Sequence, residues 1–182
     1  MKNFLLATLI SSFIIACSGS DGDSASAGNA SGTLTQAQIE EKFNLPPEPD
    51  PVLNNATILG VDSNNNDIRD DVERAIAFKY YQDEKAVSLF NQESKIDSKL
   101  ISAVESNDRS EYLKLIEENG LLVECFFEYN ESLVDDDLLG MTENTTERKE
   151  FLIRSQELML SGVASIQGPT STEVQEYCSK IN

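Results

Sequence analysis

The stretch that decides the fold is Ile68–Tyr80, IRDDVERAIAFKY. Ile68, Val72, Ile76 and Tyr80 recur every fourth residue, which lays four apolar side chains along one stripe of an α-helix. Toward the C-terminus the same period returns. Val87 and Phe90, then Ile96, Leu100, Ile101 and Val104, mark one or two further helices. Asp108 with Glu111 has the spacing of a capping box and opens another. That helix carries Tyr112, Ile116, Val123, Phe126 and Phe127, with Gly120 as its expected kink or break. Leu133–Met141 holds Asp135-Asp136-Asp137 and Gly140 and reads as a loop. Asn144–Glu147 starts the next helix, with the stripe Leu152, Met159, Val163 and Ile166, and Gly168-Pro169 stops it. Thr170 with Glu173 caps a short terminal helix bearing Val174, Tyr177 and Cys178. No stretch alternates with period two. The expected fold is therefore all-α, a small bundle of about five helices behind a disordered N-terminal tether.

Overlapping the first stripe, Asp62–Glu73 reads DSNNNDIRDDVE. The spacing resembles the twelve-residue EF-hand loop, in which oxygen ligands stand at positions 1, 3, 5, 7, 9 and 12. On that pattern the calcium ligands are Asp62, Asn64, Asn66, the backbone carbonyl of Ile68, Asp70 (often through water) and Glu73. Early ligands lie on a turn, while Asp70 and Glu73 ride the first turn of the helix that follows. The longer string Thr57–Ile76, TILGVDSNNNDIRDDVERAI, resembles loops of secreted and lipid-anchored bacterial proteins, the dockerin half-repeat and repeats of some surface adhesins. The resemblance implies calcium binding, not a cellular role. One position departs from the pattern. Asp67 stands where Gly normally makes a turn through positive φ, which Asp adopts at a cost. Two early ligands are neutral Asn. Both features imply weak affinity, on the order of 10⁻⁴–10⁻³ M, as in extracellular modules. The alternative is a plain turn and helix cap, since Asn-rich stretches turn readily and first-turn acids complement the helix dipole without a metal.

Composition narrows the remaining chemistry. Asp and Glu number 32 against 14 Lys and Arg, a net charge of −18. A chain so acidic is repelled by nucleic acid and by anionic headgroups, and cations are its natural small partners. Acidity that merely keeps the protein soluble is the plainer account. There is no His and no Trp. A missing His removes the commonest general base and the commonest transition-metal ligand. His-activated serine or cysteine nucleophiles are excluded, and no catalytic constellation is present. Of three cysteines, Cys125 and Cys178 form an even pair expected to be a disulfide in an oxidising compartment. It would stabilise by at most ~4 kcal/mol. Two buried free thiols are the alternative.

The N-terminus reads MKNFLLATLISSFIIAC. Lys2 precedes a short apolar run, well below the roughly 20 residues that span a bilayer, so residues 1–16 read as a signal peptide. The ending Ile14-Ile15-Ala16-Cys17 resembles the bacterial lipobox. That resemblance implies acylation of Cys17, which becomes the N-terminus of a lipid-anchored chain. Ser18, where an Asp favours inner-membrane retention, implies an outer-membrane address. An ordinary secretory signal with a Cys at its end is the alternative. Residues 17–33 form the lipidated Cys and tether, which has no apolar side chain larger than Ala over Ser18–Gly32 and spans roughly 20 Å as a coil. Residues 34–51 hold a short helix, marked by Leu34, Ile39 and Phe43, and the Pro-rich linker Pro46–Pro51. Residues 52–182 form one helical domain carrying the calcium loop. The expected function is a non-catalytic, lipid-anchored envelope protein with a structural calcium loop, or else a module that docks a protein partner through the loop helix. The partner's identity is not written in the residues.

Overall fold

A computed structural model describes residues 33–133, 141–161 and 168–181. The chain divides into two units, Met1–Thr33 and Leu34–Asn182. The expected signal peptide, Cys17 and the expected tether Ser18–Gly32 lie outside the described residues, as do Asp135–Asp137, Gly140, Val163 and Ile166. The second unit is all-α, with no strand among its described residues.

Among the described residues its helices are α1 (Gln36–Phe43), α2 (Pro51–Asn54), α3 (Asp70–Tyr80), α4 (Glu84–Glu105), α5 (Arg109–Asn130), α6 (Thr146–Leu160) and α7 (Ser171–Cys178), with a 3₁₀ turn at Glu131–Leu133. The helices α3 to α7 are the five-helix bundle, and α1 is the short helix ahead of it. The four-residue α2 has no apolar period. It is built from Pro51 at its first position and from the Asp50 carboxylate, which accepts from the N–H groups of Val52 and Leu53.

Local chemistry sets the boundaries. Thr35 and Gln38 form a reciprocal capping box for α1, as Thr170 and Glu173 do for α7. Arg69 has extended backbone (ψ 130°), so α3 starts at Asp70 and Ile68 joins the core from the preceding loop. Asp83 caps α4 by accepting from Ala86 N–H. Val87 to Val104 belongs to one continuous helix of 22 residues. Asn107 turns the chain at φ 55°, and Asp108 accepts from Glu111 N–H to start α5. α5 runs unbroken for 22 residues, so Gly120 does not break it. A Cβ there would meet no atom within 4 Å; the helix loses only the ordinary glycine propensity of about 1 kcal/mol. α6 ends at Leu160, where Ser161 turns extended (ψ 122°), ahead of Gly168-Pro169.

The α4–α5 hairpin is the main interface. α3 packs on α4, α7 on α5, α6 on both hairpin helices and α1 on α3. Phe90 lies at the centre, stacked on Tyr80 at 4.6 Å and tilted against Phe126 at 5.0 Å. Fully buried side chains such as Ile76, Leu89, Phe90 and Leu122 each stabilise by about 1.5–3 kcal/mol. The buried face of α5 is Tyr112, Leu115, Leu122, Cys125 and Phe126. Ile116 and Val123 lie at its margin and Phe127 is 52% exposed. The Cys125–Cys178 disulfide, Cα–Cα 5.5 Å, ties α7 to α5 at this face.

Candidate metal centre

The loop ahead of α3 is closed at its base by Asp70 N–H donating to the Val61 carbonyl at 2.8 Å. Between these ends the backbone turns twice through the left-handed region, at Asn65 (φ 56°) and Asp67 (φ 65°). Asp67 thus adopts the conformation that Gly supplies in the EF-hand pattern. Part of its cost is offset locally, because Asp67 N–H donates to Asp62 Oδ2 at 2.9 Å and Asn66 N–H to Asp62 Oδ1 at 3.1 Å. Ser63 N–H donates to Asp70 Oδ1 at 3.0 Å, and Ile68 N–H to Asn66 Oδ1 at 2.9 Å. The Ile68 side chain is buried and fixes the loop's exit against the core.

Three of the six candidate ligands meet directly. Asn64 Nδ2 donates to Glu73 Oε2 at 3.1 Å and Asn66 Nδ2 to Glu73 Oε1 at 2.9 Å. Glu73 is 8% exposed and Asp70 1%. Burial raises the Glu73 pKa, the nearby charges of Asp70 and Asp62 raise it further, and the two amides oppose them. Asp62 and Asp70 are each turned to backbone donors instead. Among the described residues no three acidic or Cys side chains converge as a cluster that would grip a metal. The loop is therefore an acidic turn in which two asparagine amides hold a buried carboxylate. An amide presents either its N–H₂ or its oxygen by a half-turn of its terminal torsion; for Asn66 that turn costs the bond its Oδ1 accepts from Ile68 N–H.

Around the loop stand three buried arginines that the sequence reading passed over. Arg148, on α6, donates to the carbonyls of Asn54, Thr57 and Ile58 at 2.6, 3.3 and 3.0 Å, and to Asn55 Oδ1 and Asn144 Oδ1. Burial, and then the charge of Arg69, lowers its pKa. Arg69 holds the carbonyls of Met141 and Thr142 at 2.8 and 3.1 Å and pairs with Asp71. Arg74 reaches Glu40, Glu48 and the Pro46 carbonyl, which draws the Pro-rich segment onto α3. No local spacing signals these contacts, because Arg148 and Ile58 are 90 residues apart. Gly60 completes the wall at φ 72°. A Cβ there would stand 2.3 Å from Arg69 Cδ and 2.6 Å from Asn54 Oδ1.

No family model matches the chain, and no curated protein or solved structure matches it either.

Proposed function

We propose that this is a lipid-anchored, non-catalytic helical protein of the bacterial outer membrane, in which Asp62–Glu73 binds one calcium ion as a structural staple. The observation that carries the calcium part is the loop backbone. A non-glycine residue, Asp67, holds the left-handed turn that the EF-hand spacing requires, while Asn64, Asn66 and Glu73 face one another. The ion would be held by Asp62, Asn64, Asn66, Glu73 and the Ile68 carbonyl, with Asp70 through water. It would supply the positive charge that the two amides supply in part, and each amide would turn its oxygen inward. The loop makes its own hydrogen bonds, so calcium adds to a formed structure and does not create it. Two neutral ligands and a strained sixth position favour weak binding. At free calcium about tenfold above Kd, the staple is worth about 1.4 kcal/mol. The anchor rests on the lipobox-like ending at Cys17, and the non-catalytic reading on a chain without His.

Melting of the full chain in calcium, magnesium or chelator tests the staple. A rise of several degrees with calcium alone, enlarged in Asn66→Asp, is expected; identical melting in all three would overturn it. For the anchor, fatty-acid labelling lost in Cys17→Ser is expected, and labelling-negative wild-type protein would refute it.

A further inference from the structure

A partly open pocket of about 30 Å³ is lined by α4, the start of α3 and the Ile58-Leu59 turn. Leu59 and Val72 line it together with Ser94, Asp97 and Ile101 of α4. Ser94 is 4% exposed, and its Oγ has no hydrogen-bond partner among the described residues. A hydroxyl buried in that state costs about 1–3 kcal/mol. The half-buried Asp97 side chain, almost one helical turn further on, lines the same pocket. The guanidinium groups of Arg69 and Arg148, which also line the space, are committed to carbonyls of the 141–142 and 54–58 segments.

A purely apolar cavity of this size stays dry. One that offers two polar partners and more than the roughly 10–15 Å³ needed for a water does not. We propose that this pocket is a hydration site, in which one or two ordered waters join Ser94 Oγ to the Asp97 carboxyl along the face of α4. Water suits both states of the carboxyl, since it donates to the ionised form and accepts from the protonated one. That versatility matters because burial, with the charge of Glu143, pushes Asp97 up to about 7, and burial, with the charge of Asp97, pushes Glu93 up to about 8. The inference stands whether or not the loop binds calcium.

The test is cross-relaxation between water and protein in the labelled full chain, together with the stability of Ser94→Ala. A long-lived water seen at the Val72 and Ile101 methyls of the wild type is expected. In Ser94→Ala that signal should vanish and the folding equilibrium constant should fall about fivefold. Wild-type methyls without such a signal would overturn the proposal. So would a Ser94→Ala variant as stable as wild type or more so, the behaviour of an unbonded hydroxyl removed from a dry cavity.

Discussion

Replacing Arg148 by Met keeps the length and the apolar stem while deleting every donor that gathers the turn before the loop. The guanidinium serves three main-chain carbonyls, those of Asn54, Thr57 and Ile58, and two asparagine side chains. The Asn55 and Asn144 amides can rotate toward water, so their loss is small. The carbonyls cannot, because the backbone of this turn is also fixed by Asn54 Oδ1 accepting from Val61 N–H at 3.0 Å. Hydrogen bonds from a charged donor contribute about 1.5–3 kcal/mol each, and the guanidinium's own desolvation offsets part of that. The net loss is about 3–4 kcal/mol. In urea, with a slope near 2 kcal/mol/M, the midpoint should fall by roughly 1.5–2 M. Arg148→Lys keeps the charge but not the planar fork, so it should recover no more than about half. Urea unfolding of the full chain, followed by circular dichroism, reads both variants. A loss under about 1 kcal/mol for Met, or a lysine variant equal to wild type, would refute the reasoning.

Gly60→Ala should cost about 2–4 kcal/mol, from left-handed strain and the displacement of Arg69 and Asn54; a neutral variant in the same urea assay would contradict the close approach. Cys125→Ser with Cys178→Ser should destabilise by up to about 4 kcal/mol, because the bond closes a separation of 53 residues; a loss below about 1 kcal/mol would show that α7 docks without it. Asp97 is shifted from 3.8 to about 7 and Glu93 from 4.5 to about 8. A raised acid holds its proton in the folded state after the unfolded chain has released it, so this contribution to stability falls as pH rises from about 4 to about 8. Asp97→Asn should therefore gain about 1–2 kcal/mol at pH 8.5 relative to wild type and little at pH 4; equal gains at both pH values would sink the assignment.

How much of this was open to reading from the chain depends on distance along it. The stripe of α3 and the caps at Asp108 and Thr170 are local, so periodicity and spacing find them. The loop is local too: the left-handed turn at Asp67 and the meeting of Asn64, Asn66 and Glu73 lie inside twelve residues. The buried face of α5 was not legible. Leu121–Phe127, LLVECFF, is apolar nearly all round, so its period cannot choose a face, and the packing of α5 against α4 and α7 chooses it. Gly120 reads as a break by propensity alone, yet the hairpin contacts of α5 outweigh about 1 kcal/mol. Arg69, Arg74 and Arg148 look like solvated cations in an acidic chain. Their roles depend on carbonyls brought close only by the finished fold.

The most direct test of the central claim is calorimetric titration of the full chain with calcium, beside Asp62→Ala and Glu73→Gln. The account predicts saturable binding of one ion with Kd on the order of 10⁻⁴–10⁻³ M, abolished in both variants while their helical content persists. No saturable binding in the wild type up to roughly ten times that range would contradict it, and leave Asp62–Glu73 a self-bonded turn that leads into α3.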